Sequence, residues 1–382
     1  MKITSYDTYL VGNPWKNWVF LVLHTDEGID GVGEGTVHGF ARPTEAVIRE
    51  LDRFFLGSDP FQIEIITQKM VRDLFSEGGQ VHKGAVAAVE VACWDIIGKA
   101  LGQPIHNFLG GRCHEKIRAY ANGWYRGERQ PEAFAELAQK VAARGYTALK
   151  FDPFGAAWMA QDRLDEDLSI DIIAAVREAV GTQVDLFVEG HCRFTVAQAI
   201  KLAERMAPCR PSWFEEPVPH QHIPAMAEVA RHSPVPIATG ESFSSLHQFA
   251  ELMDHNVVSI YQPEIHHLGG ILAARKVCAM AEAHYAVVAP HNAQGPVSTA
   301  MCLQLAACTP NFYVQEIFDE FNVEWEQRLI DHPAHVVDGY LEIPERPGLG
   351  VSLNLEEARK HPYEKMYFLP LFKPGWERRE GE

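Results

Sequence analysis

Short apolar runs alternate with helical patterns through most of the chain after residue 116, and a polar residue closes most of these runs. After Pro131, for example, Phe134, Ala138 and Val141 share one face of a predicted helix that ends before Gly145. A repeated strand followed by a helix is the pattern of a (β/α) barrel. The predicted strands number eight and begin near residues 117, 148, 185, 212, 237, 259, 286 and 311.

The first 35 residues have a different pattern, which predicts a β-meander whose strongest strand is Trp18 to His24. Three helices are predicted after it: one behind a Thr44 cap, one with an apolar stripe from Ile63, and one from about Ala85 to Lys99. Residues 76–80 are predicted to form a mobile loop before the third helix. This part of the chain is therefore an α+β unit that differs from the barrel.

The length of the chain also indicates two domains. A barrel takes about 250 residues, and this chain has 382. We expect a capping domain over residues 1–115, with its exit at residues 110–112, and a catalytic barrel over residues 116–347. The remaining segment, residues 348–382, contains Pro370, Pro374 and several charges. It is predicted to return to the cap and to end in a frayed terminus.

Three glutamates recur at an equal interval at the ends of successive predicted strands. Glu189, Glu215 and Glu241 each follow the previous one by 26 residues. Because barrel active sites lie at the carboxyl ends of the strands, these side chains are expected to converge. Three carboxylates around one point suit a divalent cation. The alternative, in which each acid pairs with a lysine of the next loop, suits one glutamate better than three evenly spaced ones.

The composition of the chain argues against some classes of binding partner and indicates where in the cell the protein is located. The net charge of −17 argues against nucleic acid and anionic membranes as partners. No apolar run reaches the roughly 18 residues that a membrane span needs, and the first residues have no signal core. The seven cysteines are scattered without a C-x-x-C pair, which is typical of reduced thiols. The sequence therefore predicts a cytoplasmic protein.

Polar residues at the other strand ends complete a pattern that resembles a known family. The strings are Lys150-Phe151-Asp152, Glu189-Gly190-His191, Glu215-Glu216-Pro217, Gly240-Glu241, Gln262-Pro263-Glu264, Pro290-His291-Asn292 and Gln315-Glu316. In this order they resemble the mandelate racemase subgroup of the enolase superfamily, and the resemblance extends to residues 94–99 and 347–350. Residues 120–125 and 150–155 are most similar to gluconate dehydratases. The resemblance implies a (β/α)7β modified TIM barrel. It also implies an α+β capping domain formed by the N-terminal region and the C-terminal tail.

The resemblance assigns the metal ligands. It implies that Glu189, Glu215 and Glu241 bind one Mg²⁺ per chain, a cation that prefers oxygen ligands and leaves positions open for substrate oxygens. Glu216 is then expected to brace the site without binding the ion. Family members often have Asp at the position of Glu189, so the ion is expected to lie slightly differently here.

The resemblance also implies a base and its orienting acid. His291 corresponds to the family's general base, and Glu264 to the acid that orients the imidazole, although the family acid is usually Asp. Such a base with a cation is the pattern that the superfamily uses for proton abstraction next to a carboxylate. Two alternatives remain open from the residues alone. In the first, His291 has no catalytic role and merely forms a hydrogen bond with the backbone. In the second, Glu264 pairs with His266 or His267, which are predicted to be loop residues.

The second predicted barrel strand separates the possible reaction types. Racemases of the subgroup have a second lysine at the position of Asp152, and an anionic carboxylate near the metal ligands is a poor substitute for that base. Racemisation with two bases is therefore disfavoured. Lys150 is expected to steady the carboxylate cluster or a substrate oxygen, with a plain salt bridge as the equal alternative.

His191 favours elimination. It lies two residues after Glu189, so strand alternation predicts that both side chains leave the same face. Sugar-acid dehydratases of the family place a histidine there to protonate the departing 3-hydroxyl; the alternative is a histidine that only supports Glu189. Glu316 fits the family position of a donor to the substrate, which requires that burial raise its pKa. Further substrate contacts are predicted for Asp152, His220, Trp18 and His38, and again for Glu316.

The predicted function is a Mg²⁺-dependent sugar-acid dehydratase of a gluconate- or galactonate-like aldonate. It would abstract the C2 proton, eliminate the 3-hydroxyl and give a 2-keto-3-deoxy acid. The alternatives are an epimerase, racemase or lactone cycloisomerase of the same fold, and a non-catalytic descendant that binds a sugar acid. The only expected partners are this small-molecule substrate and, in a homo-oligomer, further copies of the chain.

Overall fold

The computed structural model describes residues 1–379. It begins with an antiparallel sheet of β1 (Ile3–Asn13), β2 (Lys16–Thr25) and β3 (Gly31–Glu34), in that order. The predicted β-meander is thus confirmed. Helices α1 (Ala41–Phe55), α2 (Ile63–Arg72) and α3 (Gly79–Leu101) follow it.

These helices start differently from the sequence prediction. Thr44 lies inside α1, where its hydroxyl donates to the Phe40 carbonyl, so the prediction of a Thr44 cap was wrong. Helix α3 begins at Gly79, inside the stretch predicted to be a loop. It is buried on nearly all sides from His82 to Gly98 because it packs between the sheet and the rest of the protein. A helix buried all round has no polar face, so periodicity marks its ends poorly.

The second part of the chain is the predicted barrel. Parallel pairing runs in the order β10-β9-β8-β7-β6-β5-β4-β11, and a bridge between Val288 and Phe312 closes the ring. Its eight strands are β4 (Ile117–Ala121), β5 (Ala148–Phe151), β6 (Asp185–Glu189), β7 (Trp213–Glu215), β8 (Ile237–Thr239), β9 (Ile260–Tyr261), β10 (Val287–Val288) and β11 (Gln315–Ile317).

Seven long helices connect these strands within the described residues, which confirms the (β/α)7β architecture. They are α4 (Pro131–Ala142), α5 (Arg163–Val180), α6 (Val196–Met206), α7 (Ile223–His232), α8 (Leu246–Asp254), α10 (Ile271–Ala283) and α11 (Pro296–Ala307). The short helix α9 (Ile265–Leu268) lies between α8 and α10 and contains His266 and His267, so the prediction that these are loop residues was wrong. Strand β12 (Tyr340–Leu341) pairs antiparallel with β4, and α12 (Leu355–Lys360) follows it. None of the helices in residues 1–379 combines the length and the apolar character needed to cross a bilayer.

The barrel interior is a packed layer just below the strand ends. One buried cluster contains a residue from each strand or its immediate flank, with the rings of Phe187 and Trp213 stacked 3.4 Å apart. Phe187 pairs with Trp213, and two residues further along Glu189 pairs with Glu215. Because side chains alternate along a strand, both glutamates project to the same side as the stacked rings, one layer higher.

Buried carboxylates of the first part of the chain dock it on the barrel. Glu34 accepts from the backbone amides of Gly295 and Ser298, at the start of α11. Glu90 in the same way accepts from two amides at the start of α10. A carboxylate at a helix N-terminus satisfies free amide groups and the helix dipole. Asp95 accepts from Val32 and Leu349, so it joins the first sheet to the segment after the barrel.

The C-terminal segment returns to the first sheet and then crosses the barrel mouth. The Gly12 amide donates to the His361 carbonyl, and the Asn17 amide group donates to the Glu364 carbonyl. Further on, Trp376 is buried and its indole donates to the Gly155 carbonyl. The predicted frayed end was therefore wrong as far as residue 379, because a large aromatic ring near the terminus finds a place in the core. The domain limits at residues 115 and 347 stay predictions.

Candidate active site

Three carboxylates meet at the carboxyl ends of the strands. Glu189 and Glu215 end β6 and β7, and Glu241 lies two residues after β8. One ligand atom from each lies within 4.8 Å of the others. Glu189 and Glu215 are fully buried, whereas Glu241 is partly exposed. The cluster thus has one open side, toward the barrel mouth.

The electrostatics of this cluster favour a cation. Burial, joined by the neighbouring carboxylates, raises the pKa of each of the three glutamates to about 7. One oxygen of Glu189 and one of Glu241 are buried without any hydrogen bond in the described residues. Buried carboxylate oxygens without a hydrogen bond are costly, and hard oxygen donors suit Mg²⁺. The donor set therefore fits the predicted ion.

Lys150 supplies the positive charge within the cluster. Its Nζ lies 2.6 Å from Glu215, 2.8 Å from Glu316 and 3.4 Å from Glu189. Burial by itself lowers the pKa of Lys150, but the carboxylates outweigh it and raise the pKa well above its usual value. Of the two predicted roles, contact with several carboxylates matches the structure better than a plain salt bridge.

We expect Lys150→Met to destabilise the metal-free protein by about 3–5 kcal/mol, because removing one partner of a buried ion pair leaves unpaired charge. The measurement is the free energy of unfolding in urea with EDTA present. Lys276→Met is the matched control, since Lys276 pairs with Glu64 at the surface, with side chains 50% and 52% exposed. Such a pair contributes about 1 kcal/mol or less. Equal effects of the two substitutions would contradict the ion-pair role.

Glu216 braces the site as predicted from its position. It accepts from the Thr239 hydroxyl at 2.5 Å and from the Gly240 amide at 2.8 Å. These residues precede Glu241 directly, so Glu216 fixes the backbone that carries the third carboxylate. Its own backbone is left-handed, with φ of 40°. A non-glycine residue in this conformation costs energy and is found most often at functional sites.

His291 and Glu264 form a dyad. His291 Nδ1 lies 2.6 Å from Glu264 Oε2, and the other Glu264 oxygen lies 2.7 Å from His266 Nδ1. Two of the three pairings that the sequence left open therefore occur, whereas His267 contacts the Glu241 carbonyl at 2.6 Å instead. Glu264 also caps α9 through the His266 amide. The longer side chain of Glu thus serves two histidines.

The dyad directs the free nitrogen of His291 into the cluster. His291 Nε2 lies 3.5 Å from Glu241 and 4.0 Å from Glu316. Burial lowers the pKa of His291, but Glu241, Glu316 and Glu264 outweigh it and raise the pKa to about 10. Burial likewise opposes ionisation of Glu264, yet the two histidines hold its pKa well below the usual range.

A second dyad, which the sequence did not predict, joins Asp152 to His191. Asp152 Oδ2 lies 2.7 Å from His191 Nδ1 and 2.5 Å from Arg193, and Oδ1 accepts from the Phe154 amide at 2.9 Å. Arg193 and His191 lower the pKa of Asp152 against the opposing effect of burial. Protein groups thus occupy both Asp152 oxygens, which leaves the predicted substrate contact without support. Both partners lie in the strand-end motifs of the sequence, but no signal in the sequence links them.

His191 reaches its position by a turn. Its φ of 46° and that of Cys192, 56°, are left-handed, and the His191 amide donates to Glu189 Oε1 at 2.7 Å. Strand alternation, the reason given for His191 lying beside Glu189, was wrong because β6 ends at Glu189. The proximity itself is present.

Glu316 accepts hydrogen bonds. Lys150 at 2.8 Å, the Asn292 amide at 2.8 Å and the Asn122 side chain at 2.8 Å all donate to it. Burial favours the neutral acid, but Lys150 and His291 outweigh it and lower the pKa of Glu316 to about 2. A donor role for Glu316 requires a raised pKa, and the prediction that burial raises it was therefore wrong. Asn122 and Asn292 lie within family motifs, but their contacts were not predicted.

Comparison with known proteins identifies the family. Residues 13–110 match the mandelate racemase / muconate lactonizing enzyme N-terminal domain, and residues 133–358 match the enolase C-terminal domain-like family. The chain belongs to the mandelate racemase subgroup of the enolase superfamily. Seven strand-end motifs in order carried the same assignment from sequence.

Related proteins and structures cover nearly the whole chain. A D-gluconate dehydratase of Thermoproteus tenax is 36% identical over 92% of this chain and 71% of its own length. A D-gluconate/D-galactonate dehydratase of Picrophilus torridus is 32% identical over 98% and 97%. A mandelate racemase/muconate lactonizing enzyme-like protein from Roseovarius sp. TM1035 superposes with a TM-score of 0.89 at 34% identity, covering 95% of this chain and 96% of its own.

The remaining substrate contacts predicted for this enolase superfamily member differ in their surroundings. Trp18 is fully buried beside Phe20 and Trp325, which leaves its ring no surface for a substrate. The His38 ring lies 4.8 Å from Phe368 of the C-terminal segment, and His220 lies 3.9 Å from the Cys192 sulfur. The ring of Trp376, a residue not predicted from the sequence, lies 6.4 Å from that of His191.

Proposed function

We propose that this protein is a Mg²⁺-dependent dehydratase of an aldonate related to gluconate or galactonate. It is an enzyme of the hydro-lyase class that acts on sugar acids, as its similarity to the dehydratases named above indicates over most of the chain. The observation that carries the proposal is the pair of histidine–carboxylate dyads, His291–Glu264 and His191–Asp152, beside three clustered carboxylates. Elimination of water needs both a base and an acid, and two dyads supply both.

Glu189, Glu215 and Glu241 would hold the Mg²⁺. When bound, the ion supplies positive charge that neutralises these carboxylates and stabilises negative charge developing on substrate oxygens. Lys150 adds a fixed positive charge, because its Nζ is held between Glu215 and Glu316. These positive charges would stabilise an enediolate, the anion that forms when the proton next to a carboxylate is removed.

His291 removes the C2 proton. Glu264 holds Nδ1, so that Nε2 faces the carboxylate cluster. The carboxylates that raise the pKa of His291 include Glu241, whose charge the bound ion would offset, so that Nε2 would be free to accept the proton. An acidic partner that orients the ring also stabilises the imidazolium that forms. The C–H electron pair passes into the enediolate, which then expels the 3-hydroxyl.

His191 donates the proton that turns the departing hydroxyl into water. Asp152 holds its Nδ1 at 2.7 Å, and Arg193 fixes Asp152 in turn. The enol left after loss of water tautomerises to the 2-keto-3-deoxy acid. Because Asp152 is anionic and fully engaged, it offers no second base for racemisation. The two intact dyads likewise argue against a descendant that only binds its ligand.

A substrate screen tests the proposed function. Purified protein with Mg²⁺ is incubated with a panel of aldonic and aldaric acids, and 2-keto acid is measured as its semicarbazone. We expect product from a gluconate- or galactonate-type acid. Deuterium incorporation at C2 in D₂O without loss of water would instead identify an epimerase, and binding without either reaction would identify a non-catalytic protein.

Removal of one metal ligand should abolish activity without unfolding the barrel. We expect Glu215→Gln to lose Mg²⁺ binding in calorimetry and dehydration together, because three carboxylates share one ion. Glu228→Gln is the control, since Glu228 lies on the exposed face of α7 and pairs with Arg231. Full activity of EDTA-treated Glu215→Gln would overturn the metal assignment.

We further propose that the cap comprises residues 1–115 and the segment 348–382, whose last three residues lie outside those that the structure describes, over a barrel of residues 116–347. Cytoplasmic location and assembly as a homo-oligomer stay predictions.

A further inference from the structure

Cys192, Glu216 and His220 form a second cluster beside the three carboxylates. The Cys192 sulfur lies 2.6 Å from Glu216 Oε2 and 3.9 Å from His220 Nδ1. One ligand atom from each lies within 4.8 Å of the others. The dehydration described above uses neither the thiol nor the His220 ring.

The Glu216 carboxylate has no charged hydrogen-bond donor among the described residues. Glu216 is fully buried, yet the groups that the described residues donate to its carboxylate are neutral: the Cys192 thiol, the Thr239 hydroxyl and the Gly240 amide. A buried carboxylate is ordinarily paired with a cation or a metal. The sulfur, the carboxylate oxygen and the imidazole nitrogen converge on one point, where a cation would contact all three.

The types of donor select the cation. A thiol and an imidazole favour softer ions than the carboxylates of the first cluster. Zinc bonds of about 2.3 Å to sulfur and about 2.0–2.2 Å to nitrogen or oxygen place the ligands of a tetrahedral site roughly 3.4–3.6 Å apart. The observed separations of 2.6 Å and 3.9 Å bracket that range. The Ser242 hydroxyl, 3.7 Å from the sulfur, or a water can complete the site.

We propose that Cys192, Glu216 and His220 bind Zn²⁺ or another thiophilic divalent cation at a site separate from the Mg²⁺ cluster. Binding exchanges the thiol proton for the metal: the S–H bond breaks, the proton leaves to solvent, and the sulfur electron pair forms the bond to zinc. No oxidation or reduction is involved. His220 and Cys192 are only partly buried, so the site is open to solvent on one side.

Cobalt substitution tests the site. The full-length protein is treated with EDTA, supplied with excess Mg²⁺ to fill the carboxylate cluster, and titrated with Co²⁺. We expect a thiolate-to-cobalt charge-transfer band that saturates at one equivalent and disappears when Zn²⁺ displaces the Co²⁺. Cys192→Ser should lose the band, whereas Cys209→Ser, which changes another half-buried cysteine, should keep it.

His220→Ala provides a second variant at a loop position. Loss of an outer partner already lowers metal affinity by about 10- to 100-fold, so loss of a ligand should lower the Co²⁺ affinity at least as much. Absence of the band in the wild-type protein, or a band that persists in Cys192→Ser, would overturn the proposal. Because the band does not depend on turnover, this result is independent of the proposed dehydratase activity.

Discussion

His291→Asn should lose both exchange of the C2 proton with D₂O and dehydration, each by about a hundred- to ten-thousandfold, the usual contribution of a general base. The reason is that two other candidate groups are already engaged. Lys150 is held by three carboxylates, and Asp152 is held by Arg193 and His191. The measurement is NMR of the C2 position in D₂O together with 2-keto acid formation.

His284→Asn is the matched control for this substitution. His284 lies at the end of α10, where it is exposed and contacts Asn256 at 3.1 Å. It should retain both activities, and calorimetry should show that both variants still bind Mg²⁺. If His291→Asn exchanged the C2 proton at the wild-type rate, the base would have to be another group and the assignment of the dyad would be wrong.

His191→Asn should separate the two steps of the reaction. Hydroxide is a poor leaving group, so loss of the acid should lower dehydration by about a hundred- to ten-thousandfold, while C2 exchange stays measurable because His291 and Glu264 are intact. Asn is a suitable replacement, because it tolerates the left-handed backbone at this position better than most residues. The same NMR and 2-keto acid assays provide the ratio of exchange to dehydration.

Asp152→Asn is the companion variant. It keeps His191 but removes the negative charge that stabilises its imidazolium, so it should lower dehydration less than His191→Asn and leave exchange in place. Equal loss of exchange and dehydration in His191→Asn would mean that His191 is the base or a structural support. Unchanged dehydration would place the acid elsewhere.

The fold and the position of the candidate site could be predicted from the chain alone. Strands and helices of a barrel repeat in sequence, and the carboxyl ends of parallel strands meet at one edge, so polar residues after successive strands must approach each other. Glu189, Glu215 and Glu241 meet for this reason. Glu264 and His291 follow neighbouring strands, β9 and β10, and the same rule brings them together.

The hydrogen-bond partners and the protonation states of the site residues could not be predicted in this way. Asp152 and His191 are 39 residues apart, and a left-handed turn, not the strand, brings the histidine to the carboxylate. The sequence order of strands carries no information about such a turn. Glu316 shows the same limit for charge: burial predicts a neutral acid, but the contact with Lys150 reverses the result.

The contacts of the C-terminal segment and of the cluster of Cys192, Glu216 and His220 could not be predicted from the sequence either. The first sheet holds the segment before Trp376, and the Trp376 indole donates to Gly155 of the barrel. Such long-range packing leaves no periodic pattern in the sequence. Local pattern thus determines which elements form and where their ends meet. The contacts between loops, which set the orientation of each histidine and the charge of each acid, depend on the packing of segments that are distant in sequence.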